Sequence, residues 1–304
     1  MILGIEIGGT KLQAVLGDAS GRIQRTERCT APGEGTEATC AALVELVGKL
    51  TGGAAVERIG IGFGGPVDAE SGKVVLSHHV SGWSGFDLAG WAARQFGAPC
   101  RIENDTNAAA LAEARLGAGR GAGVVFYTNI GSGIGGGLVI DGKLYSRRYG
   151  AFEIGHTRLW DVAQGRYVIV EELCSGWSMQ KMARRKAQAG RMAAVLELAG
   201  GDADAITCVH IGQAAAAGDA AARALVEQAA GNFAIALCNM IVLVNPDRIV
   251  VGGGVPLMGE VFFAPLREAV KRLVFDIYAD NYQILPAELG EAVVPAGALL
   301  IAAG

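Results

Sequence analysis

Charge is the scarcest ingredient of this chain: only 18% of its 304 residues are Asp, Glu, Lys or Arg, and they sum to −4 at pH 7. A nucleic-acid surface needs a basic patch that displaces counterions. The densest basic run, Arg184-Arg185-Lys186, falls in a helical stretch and reads as a solvated face. Nucleic acid is therefore not an expected partner. Aromatic residues are also few, at 6%. Cysteines stand alone at positions 29, 40, 100, 174, 208 and 238, with no C-x-x-C pair. That spacing removes the common redox and zinc-ribbon motifs and leaves reduced, mostly buried thiols in a cytoplasmic protein. Long apolar runs are missing too. The longest, Phe233 to Val244, is interrupted by Asn239 and is too short to span a bilayer, so no membrane partner is expected. The first strand starts at Ile2 with no basic leader, which argues against a signal peptide.

What the chain does have is glycine, 46 residues of it, within a composition that is 51% hydrophobic. This is the balance of a packed α/β protein, and the length suits two domains. The richest stretch, Asn129-Ile130-Gly131-Ser132-Gly133-Ile134-Gly135-Gly136-Gly137, places five glycines in nine positions. Ordering so much glycine costs backbone entropy, so the stretch is expected to bring bare backbone against a ligand. Converging N–H groups and the Ser132 hydroxyl suit a phosphate. Gly131-x-Gly133-x-x-Gly136 also fits the dinucleotide fingerprint, but that motif opens a helix. Here Leu138-Val139-Ile140 continues as strand, Asp141-Gly142 turns, and Lys143-Leu144-Tyr145 returns, which leaves the Rossmann reading a minor alternative.

The amino-terminal stretch follows the same plan. Ile2 to Ile7 reads as a buried strand carrying Glu6, Gly8-Gly9-Thr10-Lys11 turns it, and Leu12 to Leu16 runs back. Thr10 precedes Lys11 and a strand follows, so this is no P-loop, yet the hairpin offers amides and a hydroxyl to phosphate. Glu6 is placed to hold a metal ion through water, or is simply a buried hydrogen-bonded acid. Helices are expected at 37–50, 87–96, 107–114, 176–189, 215–230, 231–244, 263–273 and 294–303, and further strands at 59–63, 99–103 and 248–251. Asp105 lies after a strand and before a helix, where open α/β sheets place catalytic groups, though the position also suits a plain helix cap. Gly64-Gly65-Pro66 and Gly252-Gly253-Gly254 are further glycine turns after strands. His78 and His79 are adjacent and lack a third ligand, so they read as surface or substrate-loop residues. The glycine-rich linker 117–123 is the best crossover between two halves that repeat one plan.

With these residues in place, the chain resembles the ROK family of sugar kinases and repressors, in the actin-like ATPase superfamily, over essentially its whole length. Ile5 to Lys11 is similar to the family's first phosphate motif, Gly131 to Gly137 to its second, and Ile249 to Gly254 to its adenosine motif. Glu103-Asn104-Asp105 matches the catalytic segment, Glu153-Ile154-Gly155-His156 the sugar signature, and Glu171 a further sugar-contacting glutamate. The resemblance implies two actin-like (ribonuclease H-like) α/β domains with a duplicated βββαβαβα plan around an interdomain cleft. Residues 1–117 would form the first domain, with a helix near 290–304 returning to it, and 118–289 the second. It implies ATP and Mg²⁺ as cofactors and a homodimer.

The residue roles implied by the resemblance are specific. Asp105 would accept the proton of a sugar hydroxyl, most readily the 6-OH of glucose or a related hexose, as it attacks the γ-phosphorus. Glu6 would hold Mg²⁺ through water. Gly8, Gly9, Thr10 and Lys11, with Gly131, Ser132 and Gly133, would take the phosphates, and Gly253 and Gly254 would lie against adenine or ribose. Gly65, Asn104, Glu153, His156 and Glu171 would contact the sugar.

Three departures stand out. The family's C-x-C-G-x-x-G-C zinc loop is missing, since 160–170 holds no cysteine, so no zinc site is expected and Trp160 and Tyr167 are expected to brace that region. Glutamate replaces a common aspartate at Glu6. His78-His79-Val80-Ser81 replaces the usual asparagine-containing loop, leaving the sugar open. A sugar-responsive regulator remains the competing reading, weakened by the few residues ahead of Ile5 and by the negative charge. An actin-like ATPase with a non-sugar acceptor is the third.

Overall fold

The computed structural model of the chain describes residues 1–33, 35–75, 82–148 and 150–304. Strand β1 (Ile2–Ile7) is buried on both faces apart from Glu6. It pairs antiparallel with β2 (Lys11–Gly17), which pairs antiparallel with β3 (Ile23–Thr30). Helix α1 (Thr36–Thr51) crosses over and stops at Gly52, whose left-handed backbone (φ 60°) lets its N–H reach Gly48 O. Strand β4 (Arg58–Phe63) then pairs parallel with β1. A short hairpin, β5 (Val67–Asp68) and β6 (Lys73–Val74), precedes α2 (Leu88–Phe96), which Asp87 caps by accepting from Gly90 N. Strand β7 (Cys100–Asn104) joins β4 and runs directly into α3 (Asp105–Leu116). The first sheet has the order β3-β2-β1-β4-β7.

The second half starts with β8 (Val124–Ile130), β9 (Ile134–Ile140) and β10 (Lys143–Tyr145). A small hairpin follows, β11 (Arg158–Asp161) and β12 (Arg166–Ile169), then α4 (Val170–Cys174), α5 (Gly176–Gln188), α6 (Ala193–Leu198) and α7 (Cys208–Ala216). Helix α8 (Ala220–Val244), β13 (Arg248–Gly252), α9 (Glu260–Leu273), β14 (Gln283–Pro286) and α10 (Val293–Ala303) complete the chain. The second sheet has the order β10-β9-β8-β13-β14, which repeats the first strand for strand. Setting aside the β5–β6 hairpin in the first half and the insert 146–219 in the second, both halves read βββαβαβα. The fold is thus α/β with the duplicated actin-like plan that the sequence led us to expect.

Residues group into two compact units: 1–127 with 137–152 and 287–304, and 128–136 with 153–286. In the first unit α10 lies on β1, β4 and α3. The approach is so close that a Cβ at Gly60 would collide with Ala298 O, and one at Gly297 with Ala108 O. This explains the small residues of α3 and α10, since bulk on either would push the helix off the sheet.

Two expectations change. The stretches 215–230 and 231–244 are not separate helices but belong to α7 and one 25-residue α8, with Gly231 inside it. Nothing lies within 4 Å of a Cβ built at Gly231, so that glycine neither terminates the helix nor serves a contact. Helix α8 is long and apolar enough to cross a membrane by composition, yet most of its apolar stretch is buried in this protein, as a core helix is. The cysteines are all free, but only Cys174 and Cys238 are buried, and the other four are half-buried.

Candidate active site

In the first unit, β1 and β2 meet in a hairpin closed by Gly8 N donating to Lys11 O at 3.0 Å. Gly9 and Thr10 sit exposed at its tip, with open space where a Gly9 Cβ would point. That tip presents bare backbone as a phosphate hairpin would. Glu6 projects from the end of β1, and Lys11 Nζ lies 3.3 Å from its Oε2. Burial raises the Glu6 carboxyl above the usual range, Lys11 pulls it back down, and Glu291 adds a smaller upward push. Among the described residues no three His, Cys, Asp or Glu side chains gather into a metal group. Mg²⁺ does not require one, because it keeps several waters and binds through one or two carboxylates plus phosphate oxygens. Among the described residues the buried Glu6 carboxylate is paired with Lys11 through Oε2, and it supplies the single carboxylate that a water-bridged ion uses. The donor set fits.

Asp105 is the first residue of α3. Its Oδ1 accepts from Thr106 N at 2.7 Å, and its Oδ2 would stand 3.4 Å from a Cβ at Gly64. Asn104 caps the same helix, with Oδ1 accepting from Thr106 N and Asn107 N. Its Nδ2 donates to Gly65 O at 3.1 Å, which ties the catalytic segment to the Gly64-Gly65 turn and leaves one amide hydrogen for a ligand. The cap reading of Asp105 is therefore corrected: the helix cap is Asn104, and Asp105 is the first helical residue beside it. The sequence reading missed Glu103. It is buried, and its Oε1 accepts from Asn104 N and Asn107 Nδ2, bracing the segment from behind. Its available signal was an acid directly ahead of Asn104-Asp105 at the end of a strand. Nearby, burial raises the Tyr127 phenol, with Glu113 and Asp105 adding to the shift, so the hydroxyl stays protonated.

In the second unit, the 131–133 turn between β8 and β9 is fixed almost entirely by polar bonds. Gly131 N donates to Gly133 O at 2.9 Å, and Asn129 Oδ1 accepts from Gly135 N at 2.8 Å. Ser132 is exposed at the tip. Val255 N donates to Ile130 O, and Gly253, with φ 94°, lies flat on the same peptide. A Cβ at Gly253 would stand 2.6 Å from Ile130 O, so this glycine is required by the protein's own hairpin, whereas Gly254 faces open space.

Glu153 precedes a single 3₁₀ turn, Ile154–His156, and Glu171 lies in the first turn of α4. Surrounding protein raises the Glu153 carboxyl, His156 lowers it and Glu171 raises it, which places the three in one electrostatic cluster. His78, His79 and Ser81 lie outside the described residues. Trp160 and Tyr167 face each other across β11 and β12 with ring centroids 5.1 Å apart, edge to face. They brace that hairpin while remaining more than half exposed.

The same two-sheet plan and the same glycine turns occur in a known group of proteins. The ROK family's sequence pattern matches residues 2–304, and the chain belongs to that family. It is 29% identical over 296 residues to a glucokinase of Thermotoga maritima, covering 95% of this chain and 93% of that one. It is 27% identical to a xylose repressor of Caldicellulosiruptor bescii, covering 98% of this chain and 77% of that protein. Among solved structures, a ROK-family glucokinase from Streptomyces griseus, in complex with glucose and AMPPNP, superposes with a TM-score of 0.86 at 33% identity, covering 99% and 98% of the two chains.

Proposed function

We propose that the chain is a sugar kinase that transfers the γ-phosphoryl group of ATP to a hexose hydroxyl, the 6-OH of glucose or a close relative. The observation that carries this reading is Asp105, held by Thr106 N at the start of α3 beside the Gly64-Gly65 turn. Likeness to glucokinases, one of them solved with glucose and AMPPNP, supports the choice of substrates.

In this reading Asp105 takes the proton of the attacking hydroxyl, and the remaining residues position and neutralise charge. Asn104, Gly65, Glu153, His156 and Glu171 hold sugar hydroxyls. The tips at Gly8-Gly9-Thr10-Lys11 and Gly131-Ser132-Gly133 bind phosphates, and Gly254 with Gly253 lines the nucleoside. Mg²⁺ bound through water at Glu6 would supply charge neutralisation on the phosphates. A homodimer, a cytoplasmic location and independence from nucleic acid belong to the same reading.

Likeness to the xylose repressor supports a second reading, a sugar-responsive regulator. ADP release measured over a panel of hexoses and N-acetylhexosamines separates the two. A kinase shows sugar-stimulated turnover, and Asp105→Ala lowers kcat by about 10²–10⁴-fold with little change in hexose KM. Sugar binding without turnover on any member of the panel points to the regulator, and an Asp105→Ala enzyme of undiminished kcat removes Asp105 as the base.

A further inference from the structure

Two segments assigned above to the sugar rest on one residue, Ile134, at the end of the phosphate turn. Glu171 Oε2 accepts from Ile134 N at 2.7 Å. Gly155, inside the Glu153–His156 turn, lies so close to Ile134 O that a Cβ there would collide with it. The N–H of Ile134 is thus bonded to the Glu171 carboxylate, and its C=O is packed against the turn that carries Glu153 and His156. The next helix grips the other side of the turn, where Gly176 N donates to Gly131 O at 2.8 Å. Little apolar packing fixes residues 131–133 themselves, and so their position follows these bonds.

A carboxylate has two oxygens and roughly four acceptor positions. Glu171 is only partly buried, which leaves its second oxygen accessible. We infer that Glu171 couples the hexose to the nucleotide. One oxygen holds the phosphate turn at Ile134 N while the other takes a sugar hydroxyl, so that each substrate changes the affinity for the other. The inference rests on the kinase reading and adds to it a route by which an occupied sugar site tightens the turn bearing Ser132 and Gly133. A carboxylate that gains a hydroxyl donor on one oxygen redistributes charge over both, and its grip on Ile134 N–H changes with it. Binding linkage is reciprocal, so a perturbation on the phosphate side must reach the sugar.

Gly133 makes that perturbation local. A Cβ there would stand 2.6 Å from Glu171 Oε2, the far end of a flexible side chain, and would displace the carboxylate without striking backbone. Its φ is not in the left-handed range, so alanine brings no backbone strain. Glucose is titrated calorimetrically into nucleotide-free wild type, Gly133→Ala and Ser132→Ala. Gly133→Ala is expected to weaken hexose binding by about tenfold, although no nucleotide is present and Gly133 belongs to the phosphate turn. Ser132→Ala, at the exposed tip of the same turn and outside the Glu171–Ile134 bond, is expected to stay within about twofold of wild type in hexose binding. A Gly133→Ala protein that binds hexose as wild type does overturns the coupling.

A second measurement serves if Gly133→Ala fails to fold. AMPPNP affinity of the wild type is compared with and without saturating glucose, and then in Glu171→Gln. The expected ratio is at least about fivefold in wild type and close to one in Glu171→Gln, and a wild-type ratio of one also overturns the coupling. Wild type that binds no hexose at all defeats the kinase reading itself, a result distinct from either of these.

Discussion

At the scale of single residues, Glu6 illustrates a cost accepted for placement. Its folded carboxyl titrates above the ordinary value because burial outweighs the help from Lys11. The sign follows directly. A raised carboxyl is most compatible with folding when protonated, so its contribution is full below the unfolded pKa and is lost as pH rises through the folded value. Glu6→Gln, which never ionises, should therefore gain thermal stability over wild type as pH rises from the mildly acidic range to neutrality, and the two melting curves should converge in acid. Differential scanning calorimetry between pH 4 and 8 checks this. The acid itself was legible, because a lone charge in Ile-Leu-Gly-Ile-Glu-Ile demands an explanation. Its pairing with Lys11 was not, since that contact depends on the turn at Gly8 folding the two strands together. Asp105 was legible for a similar reason, by its place between strand and helix. The division of labour between Asn104 as cap and Glu103 as brace became visible only with hydrogen-bond partners in hand.

At the scale of elements, sequence patterns found most strands of the two main sheets and the longer helices, but not the β5–β6 and β11–β12 hairpins, α4, α6 or most of α7, and one misplaced boundary is instructive. Glycine usually punctuates, and Gly231 was read as a break between two helices. In the fold α8 runs through it, because apolar residues on both sides are buried against α9, α7 and α4 and tertiary packing overrides local propensity. Since its Cβ would meet nothing, Gly231→Ala should stabilise the protein by about 0.5–1 kcal/mol and raise the midpoint of thermal unfolding by roughly 1–3 °C. An unchanged or lower midpoint would show that the glycine serves a contact beyond this chain. The β11–β12 hairpin offers the converse lesson. The missing cysteines could be read from the sequence, yet only the cross-strand register shows how Trp160 and Tyr167 occupy one face together.

For the whole molecule, the duplicated plan was the most legible feature, because each half repeats strand, glycine turn, strand and hairpin in the same order. The assignment of distant segments to one unit was less so. Glu113 shows why: it is fully buried on α3, and its carboxylate accepts from Ala118 N, Glu288 N and Leu289 N. Two stretches some 170 residues apart in sequence are joined through one side chain, and no local pattern encodes that. Glu113→Ala would leave three backbone donors without their acceptor and should cost at least ~3 kcal/mol, read as a lower urea midpoint. Loss below about 1 kcal/mol would mean that water replaces the carboxylate.

The position of α10 has a consequence for how the protein is made. Strands β1 and β4 emerge early in synthesis, but the helix that covers them, and against which Gly60 is shaped, comes from residues 293–303. On the ribosome the sheet of β1 and β4 must wait with one apolar face uncovered until residues 293–303 have been translated. Its native core closes late, and chaperone capture during that interval is the natural point at which the yield of active protein is decided.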